Sequence, residues 1–306
     1  MGRNHDRNGC RGFSLIEFLV ATTTLLLILS AVFTVLYQGQ SIRARAESRS
    51  KIHANVRLAM DRLERDLRMV GFGVPAGVEI GATAVWAPAI FHAAPTEIGF
   101  RADVDGGSAS ITCTPKTSNS DCPRTAILLD SLDYYQSVNC KRPDNEFMNL
   151  PVVVVLDRDA WQRATCIGFD TTKGSIDVSP AVPSDTFRAG QSAVVTIEQV
   201  YYRYVVGSQP SYGRLERYVR YANTPSADFP PDGAQWAVVA DHLTDFSFEY
   251  RDAAGNTLVG NPLSADNRAL VSSVFMFIEG YDSVGPQQIA QLLQAESQVL
   301  VRNAGL

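Results

Sequence analysis

Glu17 is the residue whose chemistry most needs an explanation. It lies one position before Phe18 to Tyr37, a run of 20 residues without Asp, Glu, Lys or Arg. A carboxylate beside such a run is disfavoured in lipid by about 2.5–3.5 kcal/mol, so it calls for a positive partner. The other residues with chemical capacity are five cysteines and four histidines. His5, His53, His92 and His242 are far apart, lack the spacing of metal-ligand pairs, and read as lone surface side chains. No Gly-x-Ser-x-Gly, phosphate-binding glycine loop or His-Glu-x-x-His occurs, so no enzyme is expected, and no cofactor or metal. Asp103-Val104-Asp105-Gly106-Gly107-Ser108 resembles half a calcium loop, but the distal carboxylate is missing at the required spacing and the segment reads as an Asp-Gly turn. Tyr201, Tyr202, Tyr204, Tyr212, Tyr218 and Tyr221 could form a binding surface, although paired strands use the same residues for packing.

The element that carries Glu17 is a long helix. At about 1.5 Å per residue the uncharged run spans about 30 Å, the thickness of a bilayer core. Beyond Tyr37 the pattern becomes amphipathic: Ile52, Val56, Ala59, Leu63, Leu67 and Val70 step by four and three along one face. The opposite face offers Asp61 with Arg65 and Glu64 with Arg68, acid four residues before base. Gly71-Phe72-Gly73 and Pro75 end the pattern. A stripe of about three heptads could serve a coiled coil, but the β-rich remainder of the chain requires a helix to cover one of its faces.

With these residues in view, the N-terminus resembles the signal of type IV pilins and pseudopilins. The resemblance rests on a short basic leader, then Gly12, Phe13, Glu17 five residues into the would-be mature chain, and the apolar helix. It implies cleavage between Gly12 and Phe13 by a membrane prepilin peptidase, N-methylation of Phe13, and a Phe13 amine pairing with the Glu17 carboxylate of a neighbouring subunit. Arg57 to Gly73, Asp241 to Asp252 and the terminal Val301-Arg302-Asn303 are similar to PilW-type minor pilins and to the J-type pseudopilins of type II secretion. Residues from about 74 to 240 carry little of that likeness. An ordinary secretory signal ending at Leu29-Ser30-Ala31 is disfavoured, because the apolar core is longer than usual and helical periodicity continues past it.

Arg3, Arg7 and Arg11 favour a cytoplasmic N-terminus, a vote weakened by Arg43 and Arg45 on the far side of the span. The net charge of −5 gives no electrostatic footprint for nucleic acid. Removal of the leader takes Cys10 away and leaves Cys113, Cys122, Cys140 and Cys166 in an exported domain. Four such thiols form two disulfides in one of three connectivities, and the pairing that closes the shortest loops is Cys113 with Cys122 and Cys140 with Cys166. A metal site would need tighter Cys-x-x-Cys pairs.

Residues 74 to about 124 read as loop-rich with short strands. Strand signals follow at Ala126–Leu129, Tyr134–Val138, Val152–Leu156, Ala193–Val206, Arg214–Tyr221, Leu243–Arg251, Leu270–Ile278 and Gln298–Val301. Phe246, Phe248 and Tyr250 alternate with Ser247, Glu249 and Arg251, the signature of a half-buried antiparallel sheet. Gln287 to Ala295 reads as a short helix begun by Pro286. The expected fold is α+β and pilin-like, a long N-terminal helix with a transmembrane and an amphipathic half packed on an antiparallel head. Its parts are a leader (1–12), a transmembrane and assembly helix (13–37), an amphipathic continuation (38–73) and a periplasmic head (74–306). The resemblance implies a minor pilin that primes pilus assembly near the filament tip. Its expected partners are other major and minor pilins, the prepilin peptidase, the inner-membrane assembly platform and the membrane itself. A minor pseudopilin of type II secretion, or a membrane-anchored adhesin using a pilin signal, are the alternatives.

Overall fold

The computed structural model describes residues 14–74, 80, 89–104, 106–117, 120–133, 135, 152–157, 160–207, 213–221, 234–284 and 289–301. The chain divides into two units, Met1–Lys51 with Asp282–Gln291, and Ile52–Tyr281 with Leu292–Leu306. One helix, α1 (Leu15–Arg68, 54 residues), runs through the whole N-terminal pattern, as expected from its lack of proline and near lack of glycine.

In the second unit the stripe of α1 is fully used. Ile52, Val56, Ala59, Leu63, Leu67 and Val70 are all buried, joined by Met60. Taking this set out of water contributes on the order of 10 kcal/mol before the entropy of ordering is charged against it. The partner surface is a seven-stranded sheet formed by β1 (Ile90–Ala94), β2 (Glu97–Ala102), β9 (Glu198–Val205), β10 (Gly213–Tyr221), β11 (Ala237–Arg251), β12 (Ser273–Val284) and β13 (Ile289–Leu300), in that spatial order. Antiparallel register sets Ile98 opposite Tyr202 and Phe100 opposite Val200, and Phe246, Phe248 and Tyr250 opposite Ile278, Met276 and Val274. These residues share one core with the helix stripe. A Cβ on Gly280 would come within 2.8 Å of both Ile52 and Val56 Cγ2, so glycine at this position lets the helix lie this near β12. The helix ends in Gly71 at φ 77, and the Gly71 N–H donates to the Arg101 carbonyl at 2.9 Å, which ties the turn to the end of β2.

A second sheet is inserted between β2 and β9. Its strands are β3 (Ala109–Ser110), β4 (Ala126–Leu128), β5 (Val152–Leu156), β6 (Trp161–Asp170), β7 (Ser175–Ser179) and β8 (Ala193–Thr196), ordered β3-β8-β5-β6-β7-β4. An antiparallel bridge between Ile111 and Leu129 joins its two edges, so the sheet curls back on itself around a separate core that includes Ile111, Ile127, Val155, Ile176, Val194 and Phe187. The Cys113–Cys122 disulfide lies in the connection between β3 and β4, with Cα atoms 5.9 Å apart. A short helix, α2 (Ala265–Ala269), is capped by Ser264, whose side chain accepts the Asn267 N–H.

The architecture is thus the expected α+β, pilin-like one: a long N-terminal helix packed against antiparallel sheet. Three local expectations are corrected. The expected strand Ala193–Val206 is not one strand but β8 and β9, which belong to different sheets and change over at Ile197. The described part of the segment expected as a helix, Ile289–Ala295, is strand within β13, because β12 supplies a pairing edge and tertiary context overrides the helix propensity of Gln, Leu and Ala. On α1, Glu64 does pair with Arg68 at 2.8 Å, but Asp61 lies 4.0 Å from Arg57, one turn before it. The expected strand at Tyr134–Val138 and the helix start at Pro286 fall largely or wholly outside the described residues.

Candidate functional site

Ser14 lies just before the first helical residue and Glu17 is three residues on, the spacing of a capping box. Glu17 Oε2 accepts the Ser14 N–H at 3.1 Å, and the Ser14 carbonyl accepts the Phe18 N–H at 3.2 Å. The carboxylate therefore caps its own helix through one oxygen while its side chain remains exposed. Its position at the helix N-terminus also sets a negative charge against the positive end of the helix dipole. Gly12 and Phe13, the expected cleavage and methylation positions, lie outside the described residues.

Above Glu17 the helix is uncovered. Every large apolar side chain from Leu15 to Tyr37 is exposed, for example Leu15 at 81% and Phe33 at 66%. The most apolar 18-residue window has a mean hydropathy of 2.4, with none of it buried. Leaving such a surface in water would cost a few tens of kcal/mol, more than the about 5–15 kcal/mol that holds a typical domain together. Its few polar groups are satisfied within the helix. The hydroxyls of Thr22, Thr23 and Thr24 donate to the carbonyls of Leu19, Val20 and Ala21, and those of Ser30 and Thr34 to Leu27 and Ser30. Hydroxyls that bond back to their own helix are compatible with a medium that offers no partners. Of these features, the apolar run and Glu17 are legible by inspection; Ser14 could have been found from the Ser-x-x-Glu spacing.

The second unit holds α1 through a polar anchor as well as through its stripe. Asp66 is 3% exposed, although nothing in the helical pattern singles it out. Its Oδ2 accepts from Arg217 Nε on β10 and from the Tyr202 hydroxyl on β9, both at 2.7 Å, while Arg62 Nε lies 3.5 Å from Oδ1. Burial, and next the Asp66 carboxylate, raise the Tyr202 hydroxyl far above its usual range and keep it a neutral donor. Arg217 sits 151 residues away in sequence, so this pairing has no local signal.

The tyrosines divide between the two faces of the sheet. Tyr202 and Tyr204 belong to the helix-facing core. Tyr201 on the opposite face is fully buried, packs edge-on to Phe91 at 5.1 Å and donates to Gln199 at 2.9 Å. Tyr218 stacks obliquely on Trp236 at 5.7 Å, and the Arg203 guanidinium lies 4.0 Å from the Trp236 ring centre. Tyr212 and the Tyr221 side chain lie outside the described residues.

His92 is within 3.1 Å of Glu97 across the β1–β2 hairpin, and burial lowers its pKa despite the opposing pull of that carboxylate. The Asp103 segment forms a turn: its Oδ1 accepts the Gly107 N–H at 2.8 Å and Gly106 takes φ 74. Among the described residues no cluster of three His, Cys, Asp or Glu side chains is placed to hold a metal. Of the four expected disulfide cysteines, Cys113 and Cys122 are joined, Cys166 is disulfide-bonded, and Cys140 lies outside the described residues.

Comparison with known proteins finds no family model, no curated protein and no solved structure that matches this chain.

Proposed function

We propose that this chain is a minor type IV pilin of the PilW kind that takes part in initiating pilus assembly, at or near the filament tip. The observation that carries the reading is the division of labour along α1: its first part is apolar and wholly exposed, while the part from Ile52 onward is built into the sheet. A helix with that asymmetry is made to be covered by something outside its own chain. In the inner membrane the cover is lipid, and the β-rich region lies in the periplasm. In a filament the cover is the corresponding helices of other pilins, with side-chain packing in place of lipid contacts.

Glu17 has the chemistry to set the step between subunits. One oxygen caps its own helix through Ser14, and the exposed carboxylate can receive the Phe13 amine that the prepilin peptidase creates on a neighbour. Opposite charges brought together in low dielectric attract strongly and penalise every register that leaves them apart. The inner-membrane assembly platform and the other pilins are the remaining partners. The second disulfide, Cys140 with Cys166, completes the expected oxidised fold of an exported domain.

The test is a pair of variants expressed alongside the chain's own assembly system. Glu17→Ala is expected to insert and be cut, since it removes a membrane penalty, yet to be absent from assembled filaments. Gly12→Trp is expected to leave the precursor uncut. Normal incorporation of Glu17→Ala would sink the ion-pair step, and normal processing of Gly12→Trp would sink the cleavage site.

A further inference from the structure

The two edges of the seven-stranded sheet are built differently. β1 has five residues and a register shift between Ile90 and His92, and the Leu263 N–H, in the loop before α2, donates to its Ala93 carbonyl at 2.8 Å. At the other edge β13 runs for 12 residues, and Ile289–Leu300 contains no Pro, Lys or Arg and one charged residue, Glu296. Every second backbone N–H and C=O of an edge strand is open to another strand, and edges are normally blunted by shortness, Pro or Lys. β13 has none of the three.

The two faces beside this edge define what fits it. On the helix side the core is unfinished. Val274, Met276 and Ile278 on β12 are buried, whereas Leu293, Ala295 and Ser297 on β13 are half-buried. A groove of about 590 Å³ lies there, and its lining includes the apolar Val56, Met60, Leu293 and Ala295 and the charged Arg57 and Glu64. One more strand would set alternate side chains over that groove. The opposite face is acidic. Asp245 stands opposite Glu279 in the register of β11 with β12. Gln294 on β13 donates to Glu279 Oε2 at 2.8 Å, and Glu296, two residues on, is exposed. No Lys, Arg or His among the described residues pairs with Asp245, Glu279 or Glu296. Like charges on neighbouring strands favour a basic side chain brought alongside.

We propose that β13 is a docking edge for an extended segment of another protein, one in which apolar residues alternate with Lys or Arg. Its backbone extends the sheet by one strand, its apolar side chains cover Leu293 and Ala295, and its basic side chains meet Glu296 and the carboxylates beyond it. A helix laid in the groove would leave the edge N–H and C=O groups unpaired. A second copy of this chain is a poorer occupant. Its β1 edge is already covered, and its β13, laid antiparallel, would bring a second set of the same carboxylates to the same face. The inference goes beyond the pilin reading and does not depend on it, since every residue it uses belongs to the unit that starts at Ile52.

The test uses the full chain in mild non-ionic detergent and a labelled peptide of alternating Lys and Val, seven residues long and blocked at both ends. One control peptide replaces Lys by Glu, and another keeps the composition but groups the Val residues in a block. Binding is read by fluorescence anisotropy, and amide exchange at residues 292–300 is read by mass spectrometry. At about ten times the Kd of the alternating Lys peptide, exchange of the open edge amides should slow about tenfold, and the two controls should neither bind nor protect. Glu296→Lys combined with Gln298→Lys, both exposed positions, should weaken binding about fivefold or more by turning cross-strand attraction into repulsion. Equal binding of the three peptides, or binding without slower exchange at 292–300, overturns the docking edge. So does an edge already protected in the dilute chain alone, which would be covered from within. Protection that rises with protein concentration and without peptide assigns the edge to a second copy and overturns the proposal as well. The wild-type arms need no substitution, and a chain that proves soluble without detergent would contradict the membrane reading while leaving this one standing.

Discussion

Replacing Asp66 by alanine should release the polar anchor between α1 and the sheet. The wild-type carboxylate is 3% exposed and holds Arg217 Nε and the Tyr202 hydroxyl at 2.7 Å each. Its removal leaves a half-buried guanidinium without its counter-charge and a buried hydroxyl without its acceptor. Arg217 has little to fall back on, since its Nη2 already lacks a hydrogen-bond partner among the described residues. Breaking one side of a buried pair costs about 3–5 kcal/mol, a large part of the about 5–15 kcal/mol of a typical domain. At about 2–4 °C per kcal/mol for a domain of this size, Tm should fall by about 6–20 °C. The assay is thermal and denaturant unfolding of the full chain in mild detergent, followed by circular dichroism. A triple variant, Asp66→Leu with Arg217→Met and Tyr202→Phe, removes every member of the anchor and should recover to within about 1–2 kcal/mol of wild type, since well-packed apolar residues commonly replace buried ion pairs without loss. An Asp66→Ala chain that loses less than about 1 kcal/mol, or a triple variant as unstable as the single one, would refute the claim that the pair holds helix to sheet.

Two further outcomes are expected. Burial depresses the His92 pKa below 6.5, so the unfolded chain takes up a proton that the folded chain resists. The stability this residue protects is intact above about pH 6.5 and is lost as pH falls from there toward the folded pKa; His92→Gln should flatten that part of the pH profile relative to wild type, and parallel profiles would contradict the assignment. The Cys113–Cys122 bond closes a loop of sequence separation 9. Replacing both by serine should cost about 2–3 kcal/mol, read as a lower denaturant midpoint, and an unchanged midpoint would show that the inserted sheet does not depend on it.

Much of the fold was readable because its signals are local and periodic. The stripe from Ile52 to Val70 needed only steps of four and three, and all six of its members are buried. Phe246, Phe248 and Tyr250 were assigned to one face by alternation, and β11 places all three in the helix-facing core. Where a segment is buried on both sides the pattern loses this power. Val194 to Val200 is buried throughout, Thr196, Glu198 and Gln199 included, so alternation does not separate the strands, and the polar pair Glu198-Gln199 after Ile197 is the one local mark of the point where the chain passes from the inserted sheet to the one that carries the helix. Short strands were expected between 74 and about 124, but small residues dilute the apolar content of β1 and β2 and leave their bounds unmarked, while Gln162, Arg163 and Thr165 interrupt the pattern of β6.

The site was legible to a different degree. Glu17 declares itself by standing next to an apolar run, but its cap on Ser14 emerges only with the backbone in place. The Asp66–Arg217 anchor could not be read from sequence at all, since its two halves are 151 residues apart and charged residues on an amphipathic helix normally face water. The sheet formed by residues 109–196 is an insertion between β2 and β9, two neighbouring strands of the helix-bearing sheet. An insertion of that kind leaves the surrounding core intact and adds a second one of its own.

The central claim is that α1 begins at a processed pilin N-terminus and is covered by lipid or by other subunits. The mass of the N-terminal peptide of the protein, isolated from its native membrane, tests it most directly. The account predicts a chain that starts at N-methylated Phe13. A chain that still begins at Met1, or one that starts after Ala31, would contradict it and bring forward a simple membrane anchor or a cleaved secretory signal.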